Sequence, residues 1–141
     1  LAIDSLGDFY ATQGRWAEGE AAYERALELP GSGVVNHISL GDLYAQLGQP
    51  EEAKAEYGAA VAVQPGSASG YLSLASWYAS QGQWVEATGV YSQGLEAMPG
   101  SDAIYAARSR MLSTKGDLVG ALGAAQKAVE LAPGSYWNQQ L

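Results

Sequence analysis

Displacing the chain by 34 residues lays it onto itself. The segments SLGDFYATQGRW, SLGDLYAQLGQP and SLASWYASQGQW, which start at Ser5, Ser39 and Ser73, then align almost letter for letter. Leu6, Leu40 and Leu74 share a column, Tyr10, Tyr44 and Tyr78 another, and Gly14, Gly48, Gly82 and Gly116 a third. Further along, Tyr23, Tyr57 and Tyr91 align, as do Ala53, Ala87 and Ala121, while Ala26, Ala60 and Ala128 share a column that holds Gly94 in the third unit. Pro65, Pro99 and Pro133 close successive units, and Pro30 falls one place early. A repeat of this length is one supersecondary unit that has to stack on its neighbours to bury a core. The units are 1–33, 34–67, 68–101 and 102–135, with a partial fifth at 136–141, and the 141 residues are expected to form a single domain.

Each unit reads as two helices. Tyr71, Leu74, Ala75 and Tyr78 have the i, i+3, i+4, i+7 spacing of an amphipathic helix, and Ala87, Tyr91, Leu95 and Met98 trace a second stripe beyond Gly82. Glycine ends the first helix, and Pro-Gly separates units. The pattern predicts first helices near 2–13, 35–47, 69–81 and 103–115, and second helices near 17–28, 50–63, 84–97 and 118–131. The fold class is therefore all-α and solenoidal.

These columns resemble those of the tetratricopeptide repeat (TPR) family: the period, Leu-Gly…Tyr in the first helix, and Ala…Tyr…Ala…Pro in the second. The resemblance covers essentially the whole chain. It implies a right-handed superhelical solenoid of antiparallel helix pairs, with a concave groove lined mainly by first helices. The first unit departs through Gly19 in a column that is usually alanine. The fourth departs more, with Arg108 and Ser109 in the Leu-Gly columns, Leu112 for the tyrosine and Ala125 for the aromatic residue.

At 100° per residue, the column Asp8, Asp42, Ser76, Arg110 lies roughly 160° around the helix from Leu6. The columns of Asp4, Ile38 and Leu72 and of Ser113 flank it on that face. The resemblance implies that this face is the inner groove. Its candidate partner-binding residues are Asp4, Asp8, Ile38, Asp42, Leu72, Ser76, Arg110 and Ser113, with Ile38 and Leu72 as the apolar contact and the charges setting direction. Some TPR proteins hold chaperone C-terminal carboxylates with basic groove residues. Here three aspartates stand against Arg110, so that subfamily is disfavoured.

Composition narrows the function further. Seven basic and fifteen acidic residues leave a net charge of −8, which opposes nucleic-acid binding. The imbalance sits in residues 1–70, with ten acids and three bases, against five and four in 71–141. No apolar run is long enough to span a membrane. Absent cysteine excludes thiolate chemistry and Cys-based zinc sites, and suits an oxidising or a reducing compartment alike. No cofactor or metal is expected. His37 is the only histidine and shares a column with Tyr71 and Tyr105, so packing is its expected role. The Glu18, Glu20, Glu24, Glu28 series lacks an EF-hand pattern, and Pro30-Gly31-Ser32-Gly33 lacks the Gly-Lys-Ser/Thr of a phosphate loop.

The expectation is a non-catalytic scaffold for a protein or peptide partner. An alternative is head-to-tail self-assembly into a homo-oligomer or filament, because the segment starts inside one helix and stops inside another. Asp4 and Asp8 would then face Arg108, Arg110 and Trp137 of a second copy. A further alternative is the adaptor region of a larger enzyme. Nine glycines fall inside predicted helices, and Gly58, Gly70, Gly89, Gly120 and Gly123 have no family column to explain them. Three of these five, Gly89, Gly120 and Gly123, lie on the second helices of units three and four, where another helix or subunit is expected to approach closely.

Overall fold

The computed structural model describes residues 3–133, with side chains from residue 5 onward. Asp4's side chain, Trp137 and the partial fifth unit at 136–141 lie outside the described residues. The described chain consists of eight helices and no strand: α1 (Ile3–Thr12), α2 (Trp16–Leu27), α3 (Gly33–Gln46), α4 (Pro50–Val63), α5 (Ala68–Ser80), α6 (Trp84–Ala97), α7 (Asp102–Lys115) and α8 (Leu118–Leu131).

Local chemistry sets these boundaries. Every first helix stops at a glycine in the left-handed region, where φ is +71° at Gly14, +71° at Gly48, +73° at Gly82 and +93° at Gly116. That conformation lets the next two amides turn back. The Gly48 N–H donates to the Ala45 carbonyl and the Gln49 N–H to the Tyr44 carbonyl, at 3.2 and 2.9 Å. The same pair recurs at Gly14, Gly82 and Gly116, and is the Schellman closure of a helix end. Second helices stop at proline. Gln64, Met98 and Ala132 precede Pro65, Pro99 and Pro133, and their ψ angles of 82°, 75° and 68° leave the α region that a following proline disfavours. Because Pro30 comes one place early, α2 has 12 residues against 14 in α4, α6 and α8. Pro50 begins α4, where a missing N–H costs nothing.

Packing groups the chain into two compact units, Leu1–Gln64 and Pro65–Leu141. In the first, α1 lies on α2, α3 on α4, and α2 on α3. Tyr23, Leu40 and Leu43 form a buried cluster there, with Ala11, Leu27 and Tyr44 packed against it. In the second, α5 lies on α6, α7 on α8, and α7 on both α5 and α6, over buried Tyr71, Ala75, Ala87, Tyr91 and Ile104. Two polar groups sit inside these cores. Asn36 is buried at 1% exposure, its amide nitrogen donating to the Ser32 carbonyl while its Oδ1 has no partner. Arg108 is half-buried in the leucine column, and its Nε is enclosed without a hydrogen bond.

The glycines divide by what a side chain would meet. A Cβ on Gly7 would run into the Tyr23 ring, and one on Gly41 would come within 2.7 Å of the Tyr57 ring. Gly94 is hemmed in by Ile104 and Tyr71 at 2.9 and 3.0 Å. Of the three glycines on the second helices of units three and four, where a close helix or subunit is expected, Gly89 and Gly123 have no helix of the described chain against them. Gly58, Gly89 and Gly123 face open space, so no other helix of the described chain is the reason for them. Gly120 is crowded by a residue of its own helix start, donating its N–H to Asp117 Oδ1 at 2.9 Å. Gly70 is buried. Replacing Gly89 or Gly123 by alanine is therefore expected to raise stability by roughly 1 kcal/mol each, read as a higher urea midpoint at unchanged slope.

Candidate functional site

The column that faces away from the leucines carries Asp8, Asp42, Ser76 and Arg110, and all four are exposed. Each aspartate is held by the tyrosine of its own repeat's second helix. The Tyr23 hydroxyl donates to Asp8 Oδ1 and the Tyr57 hydroxyl to Asp42 Oδ1, both at 2.5 Å. Antiparallel pairing of α1 with α2, and of α3 with α4, brings together residues 15 apart in sequence. Burial first, and then the neighbouring carboxylate, pushes the phenols of Tyr23 and Tyr57 above the ordinary tyrosine range, because both disfavour a phenolate. These tyrosines stay protonated donors at neutral pH, and the aspartates stay oriented.

In the third repeat Ser76 stands where the aspartate was. Tyr91 is buried and its phenol is again raised by burial, with Ser76 and the Arg110 charge opposing the rise. In the fourth repeat Ala125 stands where the tyrosine was.

Each unit holds a cavity on this face. In the first, a cavity of about 280 Å³ is lined by Asp8, Ala11, Thr12, Tyr23, Ser39, Asp42, Leu43 and Gln46. In the second, one of about 180 Å³ is lined by Ser76, Ala79, Tyr91, Ala107, Arg110, Met111 and Thr114. The two linings correspond position for position two repeats apart: Asp8 becomes Ser76, Tyr23 remains tyrosine as Tyr91, and Asp42 becomes Arg110. One sheltered site is thus built twice, once with two carboxylates and once with a guanidinium.

Of the residues expected on this face, the structure brings Asp8 to Asp42 and Ser76 to Arg110. Ile38 and Leu72 are half-buried and Ser113 is exposed, and none of the three lines either cavity. The hydrogen bonds from Tyr23 and Tyr57 to this face are not among the sequence expectations. The repeated Asp-to-Tyr interval of 15 residues is the signal that would have found them.

His37, expected to pack, is half-buried and its Nδ1 lies 2.7 Å from Glu56 Oε2. Glu20 accepts the Tyr44 hydroxyl across the α2–α3 contact, a bond that, ahead of burial, raises the Tyr44 phenol. Among the described residues no three His, Asp or Glu side chains converge as a metal site, and no helix is long and apolar enough to cross a membrane.

A family profile described as tetratricopeptide repeat matches residues 38–102, and a second with the same description matches residues 1–29. No curated protein matches the sequence. Solved structures of similar fold include MamA, at TM-score 0.67 and 19% identity over 99% of this chain and 80% of that one. MamA 41-end from Desulfovibrio magneticus RS-1 is similar at TM-score 0.67 and 19% identity, over 95% of this chain and 76% of the other. YrrB, a TPR protein with an unusual peptide-binding site, is similar at TM-score 0.64 and 20% identity, over 96% and 71%. Identities this low speak for a shared fold alone.

Proposed function

Because the chain belongs to the tetratricopeptide repeat family, we propose that it is a non-catalytic scaffold that holds a peptide or protein partner on the face of its first helices. The observation that carries this reading is the pair of cavities two repeats apart, built from the same columns and floored by small side chains. A ligand needs such recesses to bury its side chains. Asp8, Asp42, Ser76 and Arg110 line the recesses. Ile38, Leu72, Ser113 and Asp4 extend the same face beyond them.

Selecting a displayed random-peptide library against the full chain tests this. Selected peptides are expected to lose about tenfold in affinity or more on Asp42→Asn or Arg110→Ala, since charge-assisted hydrogen bonds contribute about 1.5–3 kcal/mol. Both side chains are exposed, so helix content by circular dichroism is expected to hold. Peptides that bind equally to both variants would place recognition elsewhere.

Self-association is a second reading, supported by exposed apolar surface. Leu122 on α8 is 61% exposed, with Leu118 and Val119 beside it, and Phe9 on α1 is 53% exposed. Leu43, in Phe9's column, is buried against α2 at 1%. A second copy's α1 on α8 would repeat the contact that α3 makes with α2, with Leu122 in the place of Glu20. The charged contacts of that arrangement would be Asp4 and Asp8 against Arg108 and Arg110, with Trp137 as a further end-to-end contact. Mass by light scattering would climb with concentration, and Leu122→Glu would suppress the climb.

A further inference from the structure

A cavity of about 500 Å³ opens in the first unit away from the face of Asp8 and Asp42, neither of which lines it. Its volume falls within the roughly 300–1,000 Å³ usual for ligand sites. Leu27, Leu29, Val34 and Val63 are its apolar walls, and Leu29 and Val63 are 48% and 54% exposed. Gly31, in the turn before α3, and His37, on α3, also line it. One repeat later the chain itself joins these two positions. Pro65 takes the place of Gly31 and Tyr71 that of His37. The Tyr71 hydroxyl donates to the Pro65 carbonyl at 2.9 Å, and the residue is 2% exposed. A phenol thus closes the seam between turn and helix in repeat three. In repeat two the shorter imidazole pairs with Glu56 instead, its Nδ1 2.7 Å from Oε2, and the seam stays open. A carboxylate only accepts, so Nδ1 carries the proton and Nε2 of the neutral ring is an acceptor. Among the described residues none donates to it.

We propose that this cavity takes the tyrosine side chain of a partner protein, presented between basic residues. The ring enters at the place in repeat two that Tyr71 fills in repeat three, and covers the leucines and valines. Its hydroxyl donates to His37 Nε2. Tyrosine suits such a place because one end is apolar and the other is a donor. Charge selects the flanking residues. The first unit carries ten acidic and three basic side chains, with Glu28 between Leu27 and Leu29 in the chain. It attracts a segment with arginine or lysine beside the tyrosine and repels an acidic one. The site is separate from the first-helix face and does not depend on what that face binds.

The test titrates the full chain, uniformly labelled with ¹⁵N, with acetylated and amidated pentapeptides. The probes are Arg-Ala-Tyr-Ala-Arg, its phenylalanine twin, and a twin with aspartate for both arginines. Saturable amide shifts at Gly31, Gly33, Val34 and His37 are expected with the first. The phenylalanine peptide is expected to bind about fivefold more weakly, for want of the hydroxyl, and the aspartate peptide more weakly than the first. His37→Tyr gives repeat two the residue that repeats three and four already fold around. It is expected to keep the helical spectrum and abolish the response by filling the cavity from within. Val63→Lys changes an exposed wall residue and is expected to weaken binding without touching the core. Equal binding of either twin overturns the proposal, and so does a His37→Tyr or Val63→Lys chain that binds as before. Shifts confined to the Asp8–Asp42 cavity overturn it while leaving the first-helix face as a peptide site. Shifts at Gly31 and His37 that grow with protein concentration alone assign the cavity to a second copy, and overturn it as well.

Discussion

Tyr57→Ala is expected to cost about 3–5 kcal/mol, the usual loss when a buried aromatic side chain is truncated in a packed core. The ring lies on the backbone of α3 at Gly41 and is 4% exposed, so its removal empties the seam between α3 and α4. Tyr57→Phe keeps the ring and removes only the donor to Asp42. Because Asp42 is exposed, water replaces the lost bond, and about 1 kcal/mol is expected. Urea titrations of the two variants separate packing from hydrogen bonding. A phenylalanine variant as unstable as the alanine variant would make the Tyr57–Asp42 bond, and not the ring, the main support of that seam.

Gly41→Ala is expected to destabilise although alanine is the better helix former. The propensity gain is about 1 kcal/mol. Against it, the new methyl would meet three atoms of the Tyr57 ring at 2.7, 2.8 and 3.0 Å. That ring is held by Asp42 on one side and the core on the other, so it has to be displaced, and overpacking of this kind costs about 1–3 kcal/mol. The two effects together leave a net loss of up to about 2 kcal/mol. In a Tyr57→Ala background the obstacle is gone, and the same substitution is expected to become stabilising by up to about 1 kcal/mol. The sign change across this double-mutant cycle is the measurement. Gly41→Ala that stabilises in both backgrounds would show that the ring moves aside freely.

Glycine illustrates how much of this protein a linear reading reaches. Gly14, Gly48, Gly82 and Gly116 were legible as helix stops, because the left-handed turn they make is a property of the backbone at one residue. Gly41 was legible through its column, and the structure supplies the Tyr57 ring as its reason. Gly89 and Gly123 were expected to mark a close neighbour and, like Gly58, face open space within the described chain. Nothing in the structure explains them. Inside a helix, a missing side chain records either a neighbour or nothing, and one sequence cannot distinguish the two.

The candidate site divides in the same way. Periodicity alone placed Asp8, Asp42, Ser76 and Arg110 on one face, because the angle between residues of one helix is set by the helix itself. Those four do line the cavities, whereas Ile38 and Leu72, chosen by the same geometry as the apolar contact, do not. They lie one helical turn nearer the N-terminus of their helices than Asp42 and Ser76, outside the recesses.

By itself, then, the sequence determined the eight helices and the repeat. Its signals (apolar spacing, a left-handed glycine, a residue ahead of proline) act within one turn of the chain. Tertiary structure alone decided that Tyr23 and Tyr57 orient the aspartates while Tyr91 meets a serine and an arginine. It also decided that Asn36 is buried and that the Nε of half-buried Arg108 is enclosed. Those outcomes depend on how one helix is rotated against another, and packing sets that rotation through side chains remote from one another in sequence.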